Sequence, residues 1–485
     1  MTTSFITTAI PYVNARPHLG FAYELVLGDL LARHHRRRGR AVRLTAGTDD
    51  NSLKNVTAAT REGVTPRALV DRNAEAFRAL GPLLDLSTDD FVRTSLDPRH
   101  RIAVEQLWHA CRDDLDRRSW EGRYCAGCEA FVDDDVVTCA EHKTVPERVR
   151  EENWFFRLSR WREPIREAIE SRRLEIVPET ARAEILGFLA GDVRDLSVSR
   201  DATRAKGWGI PVPGDESQVI YVWFDALASY LTGCGLDQWR RAERTHVIGK
   251  GITRFHAVYW PAFLLSAGLP LPDRICVHGY LTIDGEKISK TGRSVEPEPI
   301  VERVGVDALR WYFLRRCRTR QDTDVASAAI ADVHDGDLAD RLGNLVQRVS
   351  VLVAKLGGRV PLRDDAPALR AIAEALPGRV DGALAAFVPD EAAAAIVELL
   401  DAANRHLEQT EPWRLLRTDP EAAAAALYAP LEAARIAAGE LAPFVPGVSR
   451  LIAARLGDPG LDPRWGVLEP GSVLPSGPPP LPRRA

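Results

Sequence analysis

Residues 4–31 have the sequence SFITTAIPYVNARPHLGFAYELVLGDLL, which predicts a strand, a turn and a helix in succession. The run from Ser4 to Ile10 is rich in β-branched residues and predicts a strand, and the apolar stretch Ala22–Leu31 predicts a helix. His18 and Gly20 lie at the turn between them. Free N–H groups and the helix dipole favour phosphate at such a turn, and glycine lets a nucleotide approach the backbone. The stretch therefore predicts an α/β fold with a phosphate site.

Three further motifs follow in order: Gly47-Thr48-Asp49-Asp50, Gly249-Lys250 and Lys287-Ile288-Ser289-Lys290-Thr291. The last motif places two lysines in a short loop after a strand predicted at Val277–Ile283. Two cations on a loop suit a triphosphate whose negative charge grows as pyrophosphate departs. Each motif alone is ordinary turn or loop chemistry, and only their combination and order indicate a function.

Length and charge limit the function classes. A chain of 485 residues is expected to form about two to four domains. A net charge of −4 argues against a general polyanion binder. The run RHHRRRGRAVR at 33–43 is either a local nucleic-acid patch or a solvated helix end. With no apolar run of membrane-spanning length and no signal-peptide pattern, we expect a soluble, cytoplasmic protein.

The pattern along the chain predicts a sheet domain followed by helices. Alternating strand and helix patterns predict a parallel α/β sheet, with buried strands at Gln218–Trp223 and Thr245–Ile248. An insertion rich in turns and acidic residues interrupts it. Helical periodicity at Asp337–Lys355 and Glu391–Glu408 predicts a helix bundle. The proline-rich end, 469–485, predicts a tail or an extended strap.

Three of the seven cysteines cluster in the insertion. Cys125-Ala-Gly-Cys128 and Cys139-Ala-Glu-His142 offer four soft ligands on two turns with a short spacer. Zn²⁺ favours thiolate and imidazole, and four filled positions predict a structural rather than a catalytic site. The alternative is a pair of reduced cysteine turns without metal.

Together, the motifs resemble those of class I aminoacyl-tRNA synthetases. Pro17–Gly20 is similar to their His-Ile-Gly-His motif, and 287–291 is similar to their Lys-Met-Ser-Lys-Ser motif. Other pieces are typical of the methionyl-tRNA synthetase family, and the resemblance runs from about residue 3 to residue 450. These pieces are TAIPYVN (8–14), LSVSRD (196–201), WGIPVP (208–213), YVWFDA (221–226) and FHAVYW (255–260).

The resemblance implies a Rossmann-type parallel sheet domain with an inserted zinc-knuckle connective domain, followed by an α-helical bundle that binds the anticodon. The implied segments are residues 1–112 and 186–285 (sheet domain), 113–185 (insertion), 286–335 (lysine-loop and stem-contact region), 336–465 (helical domain) and 466–485 (tail). The implied activity is ATP-dependent formation of methionyl-adenylate from L-methionine and transfer to tRNA(Met), including the initiator. The implied cofactors are Mg²⁺ with ATP and structural Zn²⁺. We expect a monomer.

By the same resemblance, a largely apolar and aromatic set binds methionine, whose polarizable thioether suits aromatic rings. Tyr12 and His256 would offer polar contacts near the sulfur, and Asp49 would meet the substrate ammonium. Core packing is the alternative explanation for the aromatic residues. The implied methionine-binding residues are Ala9, Ile10, Tyr12, Asp49, Trp223, Ala226, Leu227, Tyr230, Ile252, Phe255, His256 and Trp260.

The resemblance also implies nucleotide and tRNA residues. His18, Gly20, Lys250, Lys287 and Lys290 would contact ATP, and Arg200, with Asp49, would support activation. In the helical domain, Asn344 and Arg348 share one helix face and Trp413 would stack on an anticodon base. Without Trp413, a solvated helix face would explain the first two.

The chain departs from the family pattern at three places. Phe21 replaces the second histidine of the first motif, Gly251 replaces an aspartate that some family members have, and Asn51-Ser52 replaces the usual His-Gly. They leave three hypotheses open: a working methionine–tRNA ligase, a paralogue (inhibitor-resistant or in specialised metabolism) that activates methionine or a related amino acid, and a non-catalytic tRNA-binding protein. The intact His18, Asp49 and lysine loop argue against the third.

Overall fold

The computed structural model describes residues 3–125, 130–132, 135–139, 144–288, 294–363, 366–457 and 460–484. In chain order, the strands are β1 (Ser4–Thr8), β2 (Val42–Thr48), β3 (Asp90–Arg93), β4 (Leu115–Cys125), β5 (Ala130–Val132), β6 (Glu147–Phe156), β7 (Glu175–Val177), β8 (Leu196–Ser197), β9 (Ser199–Asp201), β10 (Pro211–Val212), β11 (Asp215–Ile220), β12 (Glu243–Gly249), β13 (Arg274–His278), β14 (Leu281–Ile283), β15 (Glu286–Lys287) and β16 (Thr323–Asp324).

The α-helices are α1 (Leu19–Arg37), α2 (Leu53–Glu62), α3 (Pro66–Arg78), α4 (Leu80–Leu83), α5 (Pro98–Ala110), α6 (Arg162–Glu170), α7 (Glu179–Ala190), α8 (Val222–Cys234), α9 (Leu236–Arg241), α10 (Trp260–Ser266), α11 (Glu298–Val304), α12 (Val306–Arg316), α13 (Ala329–His334), α14 (Asn344–Lys355), α15 (Pro367–Ala385), α16 (Pro389–Thr410), α17 (Pro412–Leu415), α18 (Pro420–Leu441) and α19 (Pro446–Leu456). π-Helical segments lie at Phe255–Tyr259 and Asp335–Gly343. Within the described ranges, the helices are too short or too polar to cross a membrane.

The chain divides into two compact units. Within the described ranges, the first comprises Met1–Arg16, Val42–Arg78 and Thr88–Val277, and the second comprises Pro17–Ala41, Ala79–Ser87 and His278–Ala485.

The first unit contains a six-stranded sheet in the order β3-β2-β1-β12-β13-β7. The pairs β1–β2, β1–β12, β2–β3 and β7–β13 are parallel, as the alternating pattern predicts. The strand predicted at Thr245–Ile248 is confirmed within β12. Buried aliphatic and aromatic side chains, among them Phe5, Ile248 and Trp260, form the core beside the sheet.

Two strand predictions are partly wrong. The strand predicted at Gln218–Trp223 ends at Ile220, and it lies in a small antiparallel sheet with β9 and β10. Helix α8 begins at Val222. The strand predicted at Val277–Ile283 is divided between β13 and β14, which lie in different sheets. The strand is interrupted at Gly279. A Cβ atom there would lie 2.2 Å from the carbonyl oxygen of Gln321, so only glycine fits.

The insertion after α5 builds a separate antiparallel sheet in the order β5-β4-β6-β8. Its long pair, β4 and β6, runs in register from Leu115 opposite Phe156 to Tyr124 opposite Glu147. The predicted interruption of the parallel sheet is therefore present as a β-sheet subdomain.

In the second unit, α1 packs on α12 and is held by a buried ion pair. The Arg310 guanidinium lies 2.7 Å from Asp29, and both side chains are 0% exposed. Arg310 also donates to the carbonyl oxygens of Leu84, Pro443 and Phe444. Burial alone would raise the pKa of Asp29, but Arg310 and Arg33 beside it bring the pKa below its usual value. This network holds in place the helix whose N-cap is His18.

The basic run 33–43 has internal partners. Arg33 pairs with Asp29 at 2.7 Å, and Arg38 pairs with Asp381 and Glu440, each at 2.8 Å. Arg37 donates to the carbonyl oxygen of Leu461 at 2.7 Å. These contacts fasten α1 within the second unit, so Arg33, Arg37 and Arg38 do not form a solvated helix end.

The helical predictions are confirmed, and the proline-rich end is a strap. Asp337–Lys355 is helical with a π-helical start, and Glu391–Glu408 lies within α16. In the described part of the end, 469–484, Leu474 and Leu481 are buried. Arg483 pairs with Asp340 at 2.9 Å.

Candidate active site

The first unit gathers aromatic side chains of the predicted methionine set at one place. Trp223 stacks on Phe255, with ring centroids 3.7 Å apart and planes 11° from parallel. The Tyr12 ring approaches Trp223 edge-on at 6.4 Å. These three residues are partly exposed, whereas Tyr230, His256 and Trp260 beside them are buried. The partly exposed rings form the entrance of the arrangement, and the three buried residues form its floor. This arrangement suits an apolar, polarizable side chain.

Hydrogen bonds fix the floor of this aromatic set. The Nδ1 atom of His256 lies 2.9 Å from the carbonyl oxygen of Ile252, so Nδ1 carries the proton. Nε2 then accepts a hydrogen bond from the Tyr230 hydroxyl at 2.7 Å. Burial lowers the pKa of His256 to about 4, so the ring is neutral near pH 7. His256 thus holds the Tyr230 hydroxyl through Nε2 and the Ile252 carbonyl oxygen through Nδ1, so both ring nitrogens are hydrogen-bonded.

A second buried histidine, His246, was missed by the sequence reasoning. Its Nε2 accepts from Trp260 Nε1 at 3.2 Å, so Nδ1 carries the proton, 2.6 Å from Thr7 Oγ1. The Tyr230 ring packs on it at 4.3 Å. Burial, with smaller effects of His256 and Arg244, lowers its pKa well below the usual value. No motif pointed to it, because it lies inside an ordinary strand pattern.

Asp49 follows β2 at the edge of the aromatic set. Its backbone N–H donates to the carbonyl oxygen of Pro11 at 2.9 Å, which places it beside Tyr12 in a parallel bridge. Its carboxylate accepts from the backbone N–H of Asn51 at 3.2 Å. Gly47 is required just before, because a Cβ atom there would lie 2.3 Å from the Val92 carbonyl oxygen. Asp49 is thus a buried carboxylate of fixed position, suited to an ammonium group.

The neighbouring Asp50 has a structural environment. Arg93 lies 3.0 Å from its Oδ2 atom, and Ser95 and Thr48 donate to the carboxylate. Burial raises the pKa of Asp50, against the opposing effects of Arg93 and the hydroxyl groups. Of the two acidic residues in the motif, Asp50 is therefore the one that these contacts commit to holding the loop.

The departures at 51 and 52 have structural explanations. Asn51 Nδ2 donates to Asp225 at 2.7 Å. Ser52 caps α2 by accepting from the backbone N–H of Lys54, as serine commonly does at a helix start. Both side chains thus stabilise the loop that carries Asp49.

In the second unit, His18 is the N-cap of α1. Its Nδ1 accepts from the backbone N–H of Gly20 at 3.1 Å, so a neutral ring carries its proton on Nε2. A Cβ atom at position 20 would lie 2.9 Å from the imidazole, so the glycine makes room for the ring. Phe21 stacks on His18 with ring centroids 4.2 Å apart. In this tautomer, Nε2–H is the ring N–H with which His18 can donate to a phosphate at the helix start.

The predicted cationic residues have varied surroundings. Lys250 is exposed at the end of β12, followed by the exposed Gly251. In the second unit, Lys287 is exposed, with Nζ 3.6 Å from the centroid of the Tyr280 ring. In the first unit, Arg200 donates to the carbonyl oxygens of Ser197 and Ser199, at 3.1 and 2.7 Å. Its guanidinium lies 4.3 Å from the Tyr221 ring centroid. Lys290 lies outside the described residues.

Half of the predicted zinc ligand set can be described. Cys125 and Cys139 are buried, at 1% and 5% exposure. Both contact Thr144: Cys125 Sγ lies 3.9 Å from its hydroxyl, and the Cys139 N–H donates to its carbonyl oxygen. The other two predicted ligands, Cys128 and His142, lie outside the described residues. Within the ranges that are described, no three metal-ligating side chains come together.

In the helical domain, two of the predicted anticodon residues, Arg348 and Trp413, form a cluster. The Arg348 guanidinium lies 5.4 Å from the Trp413 ring centroid, and Trp413 is 38% exposed. Asn344 lies one turn before Arg348 in α14 and is 3.5 Å from Asp340. A cation beside an exposed indole is suited to stacking on an unpaired base.

Comparison with known proteins agrees with this geometry. The family of class I tRNA synthetases designated M matches residues 4–145 and 136–350, and the anticodon-binding domain of methionyl tRNA ligase matches residues 366–470. Methionine–tRNA ligase from Mesorhizobium japonicum is 38% identical over 97% of this chain and 96% of its own length. The Brucella suis ligase is 40% identical over 91% and 89%.

Solved structures give the same answer. Mycobacterium tuberculosis methionyl-tRNA synthetase in complex with methionyl-adenylate has a TM-score of 0.93 and 38% identity, covering 100% of both chains. The apo form of that enzyme has a TM-score of 0.87 and 35% identity, covering 100% of this chain and 98% of its own. The chain therefore belongs to the methionyl-tRNA synthetase family, the class I aminoacyl-tRNA synthetases that are methionine–tRNA ligases.

Proposed function

We propose that the chain activates L-methionine with ATP, giving methionyl-adenylate and pyrophosphate, and then transfers the methionyl group to tRNA(Met), including the initiator. We expect it to act as a monomer in the cytoplasm. The observation that carries the proposal is the aromatic set around Trp223 and Tyr230, with the buried Asp49 at its edge. An apolar thioether and an α-ammonium group together match that combination.

In this proposal, the first unit binds the amino acid. Trp223, Phe255 and Tyr12 surround the thioether, and Asp49 pairs with the ammonium. The remaining residues shape the floor and walls: Ala9, Ile10, Ala226, Leu227, Tyr230, Ile252, His256 and Trp260. Arg200, held by carbonyl oxygens and Tyr221, would support the activation step.

The chemistry is positioning and electrostatic stabilisation, because the nucleophile is the carboxylate of methionine itself. That carboxylate attacks the α-phosphorus of ATP, and pyrophosphate leaves. His18 would donate its Nε2–H to the phosphate as negative charge grows, with Gly20 giving the nucleotide access to the backbone. Lys250, Lys287 and Lys290 would neutralise the phosphates. Mg²⁺ bound with ATP would lower the charge of the departing pyrophosphate.

Amino-acid-dependent pyrophosphate exchange across all standard amino acids, followed by charging of initiator tRNA, tests this function. We expect exchange with methionine and charging of methionine tRNA. Exchange that favours another amino acid would instead support the paralogue hypothesis. Binding of tRNA without pyrophosphate exchange for any amino acid would support a non-catalytic protein.

Replacing Phe21 with histidine is expected to raise the rate of methionine-dependent exchange by about three- to tenfold. The phenyl ring stacks on His18 but cannot donate a hydrogen bond to phosphate, whereas imidazole can do both. The gain is smaller than the effect of an evolved donor because the new ring is not preorganised. Phe21→Leu, which removes the stack without adding a donor, is the control. A lower rate in Phe21→His would show that the site has been rebuilt around the phenyl ring.

We expect one structural zinc per chain, held by Cys125, Cys128, Cys139 and His142. The two described ligands are buried and meet at Thr144, which is compatible with a closed thiolate site. Elemental analysis after dialysis should give one equivalent of zinc in the parent and much less in Cys125→Ser. The control is Cys234→Ser, which changes a buried cysteine elsewhere and should keep the metal. Zinc-free parent protein would contradict the assignment.

A further inference from the structure

The carboxylate of Asp225 joins two parts of the first unit that are far apart in the chain. Asp225 is 1% exposed, and its Oδ2 atom accepts the hydrogen bond from Asn51. Its Oδ1 atom is in hydrogen-bond contact with Nε2 of His100, which is 0% exposed. The other ring nitrogen of His100 lies 2.9 Å from the hydroxyl of Thr232. A continuous chain of hydrogen bonds, buried except at Asn51, therefore runs from α5 and α8 to the loop after β2.

This chain of hydrogen bonds ends at Asp49. Asn51, whose side chain Asp225 holds, donates its backbone N–H to Asp49 Oδ1 at 3.2 Å. Asn55 supports the same loop by donating to the carbonyl oxygens of Asp49 and Asp50, at 3.1 and 2.9 Å. The orientation of the Asp49 carboxylate thus depends on where Asn51 is held.

The chemistry requires a hydrogen-bond donor at position 51. Asp225 is a buried carboxylate, and such a group is stable only when its oxygens are hydrogen-bonded or paired. Asn51 supplies one N–H where the family usually has histidine, so the departure keeps the donor. Asp225 also lies in α8 between Trp223 and Ala226. Its hydrogen bond to Asn51 therefore connects the helix that carries Trp223 to the loop that carries the Asp49 carboxylate.

We propose that Asp225 is a positioning residue for amino-acid recognition: with His100 behind it, it holds Asn51, and Asn51 orients the Asp49 carboxylate toward the substrate ammonium. The inference rests on the proposed function, because that function assigns the ammonium to Asp49. Asp225 touches no substrate atom in this role.

Equilibrium binding measured by tryptophan fluorescence tests the role with three ligands. These are L-methionine, L-methioninol, which keeps the ammonium but lacks the carboxylate, and the des-amino analogue of methionine, which lacks the ammonium. Asn51→Asp is nearly isosteric and puts an acceptor opposite Asp225. It should raise the Kd of methionine and of methioninol by about tenfold or more. The Kd of the des-amino analogue should change little.

Companion variants separate positioning from loss of fold. Asn51→His keeps a donor at this position and should bind methionine nearly as the parent does. Asp225→Asn should raise the KM for methionine in pyrophosphate exchange and leave the KM for ATP unchanged. Ser266→Ala, which removes a hydrogen bond to the buried carboxylate of Asp114 instead, is the matched control and should leave methionine binding intact.

The possible results are distinguishable. If the parent neither binds methionine nor catalyses exchange with it, the proposed function fails. If the parent does both but Asn51→Asp binds methionine equally well, the role of Asp225 is overturned. Equal weakening of all three ligands would also overturn it, because the effect would then not pass through the ammonium.

Discussion

Replacement of His18 by alanine is expected to slow methionine-dependent pyrophosphate exchange by about 10²–10³-fold, the usual cost of losing one donor to the transition state. His18 accepts from the Gly20 N–H through Nδ1, which leaves its proton on Nε2. Alanine removes this donor, while the residues proposed to bind methionine are unchanged. We therefore expect a lower rate constant for exchange and a nearly unchanged Kd for methionine.

Alanine also removes the N-cap of α1, so two further variants are needed. Aspartate and asparagine are both good N-caps and can accept from Gly20, but only asparagine has N–H groups to donate to phosphate. His18→Asp should keep the parental melting temperature and lose at least as much activity as His18→Ala. His18→Asn should recover part of the rate. Parental exchange in His18→Asp would remove His18 from the catalytic role.

The sequence was sufficient where a local pattern decides the structure. The helix predicted at Ala22–Leu31 is the middle of α1, and Thr245–Ile248 lies within β12. The aromatic set predicted from short motifs does assemble around Trp223. In these cases, periodicity or a motif of a few residues carries the information.

The sequence was insufficient where a long-range partner decides the structure. The apolar run Gln218–Trp223 fits a strand, yet the Tyr221 N–H bonds to the Val198 carbonyl oxygen and α8 starts directly after it. Because α8 is buried almost all round, it shows no amphipathic pattern. The arginines at 33–38 looked exposed because their partners, such as Glu440, lie hundreds of residues away. The same holds for Asp225 and Asn51.

Replacement of Trp413 by alanine is expected to reduce charging of methionine tRNA by about ten- to a hundredfold, since one stacked base contributes about 1–3 kcal/mol. Trp413 is 38% exposed in α17, with the Arg348 guanidinium 5.4 Å from its ring centroid. The exposed indole can therefore stack on a base while the cation meets the backbone phosphate. The effect should appear in kcat/KM for tRNA, measured with methionine and ATP saturating.

Three comparisons make this prediction specific. Pyrophosphate exchange, which needs no tRNA, should be unchanged in Trp413→Ala, because none of the residues proposed for activation belongs to α17. Trp413→Phe keeps a stacking ring and should recover most of the charging. Leu451→Ala changes an exposed apolar residue of α19, which is 52% exposed, and should charge as the parent does. Equal charging by Trp413→Ala and the parent would show that this cluster does not read the anticodon, because removal of a stacking platform must weaken a complex that uses it.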